Sequence, residues 1–318
     1  MIKIFIADES IREGQIKALQ NQLPANWEFT TELNDATAII TSNVDITDDS
    51  LRKTGSSLKV IIKIQPGKAE IANASIPVHT IYDTGVTSVA EHTMTLILML
   101  GRQMLYAADK TKKQEWAVGK ETPILTDQRK YTYNWINLPQ SGQLHGKKVG
   151  IVGFGFIGQD LAKRLNAFNA KVLYYDLYRK SLEIEKKYNA SYVSLEQLLQ
   201  ESDFVSLHLR FAEGENGNEK MFNKDKFALM KPSAYFINTS RGRMVDEADL
   251  AEAIKNKKIA GAGLDVFEFE PLKPDCPLLP LAGHNVILTP HIAGTYMEEA
   301  WEQSSREIVD IIKEALGV

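Results

Sequence analysis

The sequence predicts an α/β protein with two doubly wound parallel-sheet domains. Short apolar strands alternate with amphipathic helices in two regions, before residue 83 and after residue 146, and this alternation is typical of parallel sheets. A glycine-rich turn joins a strand to a helix at the start of the second region. The length of 318 residues suits two domains of ordinary size.

The first region, Ile2 to about Tyr82, predicts a small parallel sheet without a phosphate loop of its own. Two stretches have helical apolar spacing, Ile11–Leu23 and Thr47–Lys53. The apolar β-prone runs predict the strands Ile2–Ala7, Ala36–Thr41, Leu58–Ile64 and Val78–Tyr82.

A long helix and an irregular arm connect the two regions. Residues 86–107 carry a broad apolar face, which predicts one continuous helix. The arm, residues 109–144, lacks periodicity but contains Trp116 and Trp135. Aromatic side chains in an irregular segment need a surface to cover them, so the arm suggests a subunit interface.

The stretch Lys147–Asp176 predicts a dinucleotide-binding βαβ unit. The strand Val149–Val152 leads into GFGFIG, an amphipathic helix follows, and the strand Lys171–Tyr175 ends at Asp176. This order of strand, glycine turn, helix, strand and acid is what such a unit requires. The alternative, an ordinary glycine-rich turn, explains the glycines but not the terminal acid.

The residues of the glycine turn have separate physical roles. Gly153 permits a tight turn out of the strand, Gly155 lets a pyrophosphate approach the backbone, and Gly158 lets the helix pack close to the sheet. Phe156 and Ile157 open the helix, whose unpaired N–H groups attract phosphates. We therefore expect these five residues to form the cofactor-binding turn.

Asp176 predicts which dinucleotide binds. It lies close to the expected distance of about 20 residues after the glycines, and its carboxylate can accept hydrogen bonds from the adenosine ribose hydroxyls. The same charge would repel a 2′-phosphate. The sequence therefore predicts NAD as the cofactor.

Beyond Asp176, the second region continues as alternating strands and helices, and a last amphipathic helix covers Thr295–Leu316. The predicted strands are Phe204–Leu209, Ala234–Asn238, Ile259–Leu264 and Val286–Leu288.

Composition and charge count against several classes of protein. The formal net charge of −4 gives no support for binding nucleic acid or an anionic membrane. The longest apolar run, Leu96–Leu100, is far too short to span a bilayer, and the N-terminus does not read as a signal peptide. Cys276 is the only cysteine, so we expect a reducing, cytoplasmic location. No His, Cys or Asp cluster has ligand spacing, so we expect no metal.

Six motifs stand in order along the chain: VAEHT at Val89–Thr93, GIVGFGFIG at Gly150–Gly158, SLHL at Ser206–Leu209, NTSRG at Asn238–Gly242, LDVFEFEP at Leu264–Pro271 and TPHIAG at Thr289–Gly294. Together they resemble the D-isomer-specific 2-hydroxyacid dehydrogenase family. The resemblance implies an oxidoreductase that transfers a hydride between NAD(H) and C2 of a small D-2-hydroxy or 2-keto acid, in a homodimer. It also implies a Rossmann NAD-binding domain, residues 104–291, inserted into a flavodoxin-like substrate domain, residues 1–103 and 292–318.

The resemblance assigns catalytic roles to three residues. Arg241 would clamp the substrate, because its planar guanidinium pairs with a carboxylate or keto oxygen. His291 would be the general acid–base, since histidine exchanges protons near working pH. Glu270 would hold the imidazole and favour its charged form.

The resemblance also assigns cofactor contacts. Asn238, Thr239 and Asp265 would line the nicotinamide side, with Asp265 near the carboxamide. His208 would line the cofactor cleft, with a structural role as the alternative. Gly294 would complete the cofactor-binding set.

Two features of the sequence leave the substrate and the function class open. The family usually has a glycine-rich loop after the strand equivalent to Leu58–Ile64, whereas this chain reads Gln65-Pro66-Gly67-Lys68 there. That loop contributes to substrate choice, so the particular acid stays open.

The alternative function is an NAD(H)-sensing module of the corepressor type, which shares the fold and keeps the same three residues.

Overall fold

The computed structural model describes residues 1–9, 11, 13–54, 56–65, 69–72, 75–82, 85–138, 142–214, 217–294 and 297–318. The described residues form two compact units, one from Met1–Ser88 with Gly294–Val318 and one from Val89–Ala293. The domain limits expected from the sequence, after residues 103 and 291, stay predictions.

The first unit contains a five-stranded parallel sheet in the order β2-β1-β3-β4-β5. Its strands are β1 Ile2–Ile6, β2 Trp27–Thr30, β3 Ala38–Thr41, β4 Val60–Gln65 and β5 Val78–Tyr82. Its helices are α1 Glu13–Gln22, α2 Asp48–Lys53 and α10 Met297–Leu316. This strand order is the flavodoxin-like one, in agreement with the predicted fold.

Helices α1 and α10 of the first unit pack closely against each other. A Cβ atom at Gly14 of α1 would overlap the Trp301 ring of α10. A cavity of about 20 Å³ lies beside this contact, which is room for about one water molecule. The Trp301 Nε1 and Ser304 Oγ atoms are buried there without a hydrogen-bond partner in the described part of the chain.

The second unit contains a seven-stranded parallel sheet in the order β12-β11-β10-β9-β6-β7-β8. Its strands are β6 Lys148–Val152, β7 Lys171–Tyr175, β8 Ala190–Tyr192, β9 Phe204–Leu207, β10 Tyr235–Asn238, β11 Gly261–Leu264 and β12 Val286–Leu288. Its later helices are α5 Phe156–Ala167, α6 Leu182–Lys187, α7 Leu195–Glu201, α8 Lys224–Ala228 and α9 Glu247–Lys255. The order reverses between β6 and β9, which is the switch point of a Rossmann fold. The predicted α/β class with two parallel sheets is confirmed.

The prediction of one continuous helix over residues 86–107 is wrong. The structure has α3 Gly85–Gly101 followed by α4 Met104–Lys112. Gln103 adopts a left-handed backbone with φ of 50° at the break. A left-handed residue cannot continue a right-handed helix, so the apolar face turns at this point.

The arm beyond α4 has no strand or helix among its described residues. Trp116 and Trp135 stack with ring centroids 5.2 Å apart. Tyr131 and Tyr133 stay 64% and 76% exposed. The arm therefore presents several aromatic rings that the described residues leave exposed.

Among the described residues, no helix is long and apolar enough to cross a bilayer.

Candidate active site

The glycine turn lies between β6 and α5, at the switch point of the seven-stranded sheet. Gly153 has φ of 100°, a conformation that favours glycine, and a Cβ there would lie 2.7 Å from the carbonyl carbon of His208. A Cβ at Gly158 would overlap the carbonyl oxygen of Gly153, so this glycine lets α5 pack onto the turn. A Cβ at Gly155 would meet no atom within 4 Å, which leaves this backbone open to a ligand.

Asp176 ends β7, the strand next to the glycine turn. Its Oδ2 atom accepts a hydrogen bond from the Phe154 backbone N–H at 2.9 Å and lies 3.1 Å from Lys180 Nζ. Both contacts fall on one oxygen, and the described residues give Oδ1 no partner. Asp176 is therefore fixed to the turn with one oxygen available to a ribose hydroxyl.

His208 follows β9 and packs behind the glycine turn. Its Nε2 atom lies 2.7 Å from Ser206 Oγ, and its buried Nδ1 atom has no partner among the described residues. Burial lowers the pKa of His208 to about 3, so the imidazole is neutral near neutral pH. The neutral ring can donate or accept a hydrogen bond, but it carries no positive charge.

The three predicted catalytic residues follow three adjacent strands of the sheet. Strands β10, β11 and β12 pair in parallel, so their carboxyl ends share one edge. Arg241 follows β10, Glu270 follows β11 and His291 follows β12. Ligands of open α/β sheets bind at this edge.

His291 and Glu270 form a direct pair. The His291 Nδ1 atom lies 2.6 Å from Glu270 Oε2. The other oxygen, Oε1, accepts a hydrogen bond from the Phe267 backbone N–H at 3.0 Å. Because a carboxylate only accepts hydrogen bonds, Nδ1 carries the proton and Nε2 is left for chemistry.

Arg241 lies on a turn that packs against the Glu270 loop. Its Nη1 atom donates to the Ser240 carbonyl at 2.6 Å, and its guanidinium is exposed. A Cβ at Gly242 would overlap the carbonyl carbon of Phe267, so the two loops touch through their backbones. Within the described part of the chain, Glu270 therefore pairs directly with His291. Arg241 hydrogen-bonds to neither of them, and its turn reaches the Glu270 loop through the contact of Gly242 with Phe267.

Asp265 is a fully buried carboxylate that holds the loop carrying His291. It accepts hydrogen bonds from Thr289 Oγ1 at 2.6 Å, the Ile292 N–H at 2.9 Å and the Ala293 N–H at 2.8 Å. His291 itself has a left-handed backbone with φ of 53°. Three hydrogen bonds on both sides of His291 therefore fix this unusual conformation. The expected contact of Asp265 with the nicotinamide carboxamide stays a prediction.

Thr289 and His92 extend this network, and sequence reasoning did not assign them to the site. His92 Nε2 lies 3.0 Å from Thr289 Oγ1 and 3.6 Å from Asp265 Oδ1. His92 belongs to α3, far from Thr289 along the chain, so spacing alone gives no signal for the contact. The signal in the sequence was that His92 lies in the VAEHT motif and Thr289 in the TPHIAG motif.

Asn238 and Thr239 are buried and make internal contacts. The Asn238 amide donates to the Arg241 carbonyl at 3.0 Å and accepts from the Ser240 N–H at 3.0 Å, so it shapes the turn of Arg241. Thr239 Oγ1 lies 2.9 Å from Thr93 Oγ1 of α3. Their predicted contacts with the nicotinamide side stay predictions.

Two remaining expectations concern the edges of the described chain. Gly294 belongs to the first unit, and a Cβ there would meet no atom within 4 Å. The atypical loop at Pro66, Gly67 and Lys68 lies outside the described residues.

The described residues contain no group of three His, Cys, Asp or Glu placed to hold a metal.

Known proteins resemble this chain in sequence and in fold. The family model of the D-isomer specific 2-hydroxyacid dehydrogenase NAD binding domain matches residues 94–293. A glyoxylate reductase of Thermococcus litoralis is 35% identical over 316 residues, covering 94% of this chain and 89% of that protein. Glyoxylate/hydroxypyruvate reductase B of Escherichia coli is 37% identical over 233 residues, covering 72% and 65%.

A solved structure supports the same relationship. The D-lactate dehydrogenase of Aquifex aeolicus, complexed with NAD and lactic acid, has a TM-score of 0.57 and 28% identity. The match covers 99% of this chain and 96% of that one.

Proposed function

This chain belongs to the D-isomer specific 2-hydroxyacid dehydrogenase family and is an NAD-dependent oxidoreductase of small 2-hydroxy and 2-keto acids; we propose that it reduces glyoxylate or hydroxypyruvate. The names of its relatives in Thermococcus litoralis and Escherichia coli support these two keto acids. The corepressor-type sensor is not favoured, because these relatives are reductases.

His291 would be the proton donor and acceptor at the keto oxygen. NADH, when bound, supplies the hydride that the keto carbon accepts. His291 Nε2 would give its proton to the oxygen in reduction and remove it in oxidation. The observation that carries this role is the 2.6 Å contact between His291 Nδ1 and Glu270 Oε2, which orients the ring so that Nε2 is left for the substrate.

Arg241 would bind the substrate carboxylate or keto oxygen. Its exposed guanidinium stands at the carboxyl edge of the sheet, and one of its nitrogens is already fixed by the Ser240 carbonyl. The remaining N–H groups form the fork that carboxylates recognise.

The glycine turn would hold the dinucleotide. The open backbone at Gly155, the N-cap residue of α5, would face the pyrophosphate, and Asp176 Oδ1 would accept a hydrogen bond from the ribose. His208, Asn238, Thr239, Asp265 and Gly294 would line the rest of the cofactor site.

We also propose a cytoplasmic homodimer. The exposed rings of the arm, together with Val118 and Leu125 at 97% and 92% exposure, are the kind of surface that a second subunit covers. The single cysteine, Cys276, is a buried free thiol, which fits a reducing compartment.

The test is NADH oxidation by the purified full chain with glyoxylate, hydroxypyruvate, pyruvate and 2-ketobutyrate. We expect glyoxylate or hydroxypyruvate to give the highest kcat/KM. Where the hydroxy acid produced is chiral, we expect it to have the D configuration. A higher kcat/KM for pyruvate or 2-ketobutyrate would overturn the substrate assignment. Tight NADH binding without turnover of any acid would favour the sensor instead.

A further inference from the structure

Two basic residues follow Asp176 closely, at the end of β7 where the adenosine ribose is expected. These are Arg179 and Lys180, and each lies beside a carboxylate. A cation near the ribose is the feature that accommodates a 2′-phosphate in this fold. Which of the two cations is available therefore bears on cofactor selectivity.

Arg179 forms an ion pair with Glu185, although its own side chain is 56% exposed. Its Nε and Nη2 atoms lie 2.8 and 2.9 Å from the two oxygens of Glu185. Glu185 also accepts from the buried Tyr174 hydroxyl at 2.8 Å, and the guanidinium lies 5.7 Å from the Tyr192 ring centroid. The bidentate geometry directs Arg179 toward α6 rather than toward Asp176.

Lys180 contacts Asp176 itself. Its Nζ atom lies 3.1 Å from Oδ2, the same oxygen that accepts the Phe154 N–H. The Lys180 side chain keeps 29% exposure, so it is open in part to solvent. An ammonium group has three donors, and one contact leaves others available.

We propose that Lys180 sets how strictly this enzyme rejects NADP(H). By pairing with Asp176, Lys180 offsets the negative charge that would repel a 2′-phosphate and offers a donor to that phosphate. NADPH is then a weaker second cofactor rather than one that is excluded. This inference rests on the proposed contact of Asp176 with the ribose.

The physical argument is one of local charge. An isolated carboxylate next to the 2′ position repels a phosphate, whereas a carboxylate paired with an ammonium group is nearly neutral at that distance. The contribution of a partly exposed cation is modest and is screened by salt. Lys180 is thus expected to change the ratio of the two affinities more than the affinity for NADH.

The test measures dissociation constants for NADH and NADPH by fluorescence titration of the wild type, Lys180→Gln and Lys180→Arg. Lys186→Gln is the matched control, because Lys186 is an exposed lysine on the neighbouring helix α6. We expect Lys180→Gln to weaken NADPH binding about three- to tenfold at low salt, and NADH binding by less than about twofold. Lys180→Arg and Lys186→Gln should leave the NADPH to NADH ratio near the wild-type value. An unchanged ratio in Lys180→Gln would overturn the proposal.

A second pair of variants separates this inference from the role of Asp176. Asp176→Ser should weaken NADH and strengthen NADPH, and adding Lys180→Gln should remove the gain for NADPH. If Asp176→Ser leaves NADH affinity unchanged, the ribose contact itself is wrong. If Asp176→Ser weakens NADH but the double variant keeps the gain for NADPH, only the role of Lys180 is wrong.

Discussion

His291 Nδ1 lies 2.6 Å from Glu270 Oε2, and Glu270 Oε1 is held in turn by the Phe267 backbone N–H. The carboxylate is therefore fixed to its own loop before it meets the imidazole. This arrangement determines which ring nitrogen carries the permanent proton and which direction Nε2 faces. The orientation of the imidazole is therefore already set by Glu270 in the protein alone.

Replacing His291 by Asn should remove the acid–base group and keep a polar side chain that tolerates a left-handed backbone. We expect turnover to fall about 10²- to 10⁴-fold while NADH affinity stays within about twofold of the wild type. Steady-state NADH oxidation and NADH titration measure the two quantities. His145→Asn, at an exposed histidine, is the control, and near-normal turnover of His291→Asn would remove the residue from this role.

Glu270→Gln should retain the shape of the pair but lose its charge. We expect kcat to fall by about 10² or more, because the amide stabilises an imidazolium less well than a carboxylate does. NADH affinity should not change, since Glu270 contacts the histidine and its own loop. Glu268→Gln, in the same loop, is the matched control. Equal loss of kcat in the control would mean that the loop matters rather than the pair.

Asp265→Asn should loosen the His291 loop. An amide group cannot accept on its nitrogen, so at least one of the bonds from Thr289, Ile292 and Ala293 is lost in a buried site. We expect the free energy of unfolding to fall by about 1–3 kcal/mol and turnover to fall with it. Urea unfolding and steady-state kinetics measure both, with Asp275→Asn as the exposed control. Wild-type stability in Asp265→Asn would contradict the network.

Gly14→Ala should destabilise the first unit. In an exposed helix this change is favourable, but here the added Cβ overlaps the Trp301 ring. We expect a loss of about 1–3 kcal/mol in the free energy of unfolding. Trp301→Leu makes room for the methyl group, so the double variant should lose less than the sum of the single variants. Additive losses would show that the contact carries no strain.

Glu185 predicts a pH dependence of stability. Its ion pair with Arg179 and its hydrogen bond from Tyr174 lower the pKa of the carboxyl group from 4.5 to about 2. A lowered folded-state pKa contributes stability above the unfolded value and loses it as pH falls through the folded value. The difference in melting temperature between wild type and Glu185→Gln should therefore be largest near pH 7. It should shrink below about pH 4.5, and a constant difference down to pH 3 would contradict the assignment.

Much of the fold follows from local patterns in the sequence. The strand, glycine turn, helix and acid around Gly153 predict the Rossmann unit because each residue type has one physical role there. The strands Trp27–Thr30 and Ala190–Tyr192 were not predicted. Both are short edge strands with few buried residues, so their pairing depends on the neighbouring strand rather than on their own pattern.

The site was predictable in position but not in its internal contacts. The motifs singled out Arg241, Glu270 and His291, and the structure shows that these residues follow the adjacent parallel strands β10, β11 and β12. The inward-facing carboxylate of Asp265 could not be read from spacing, because its partners come from a loop more than 20 residues away. Tertiary packing decides such contacts.

The backbone contact at Gly242 joins the turn that bears Arg241 to the chain that leads to Glu270. Because the turn bearing the cation rests directly on the chain leading to the carboxylate, lengthening either segment would displace both. With the roles proposed for Arg241 and His291, an insertion in either turn would disturb substrate recognition and proton transfer together, so we expect exchanges of side chains to be the tolerated route to a different acid.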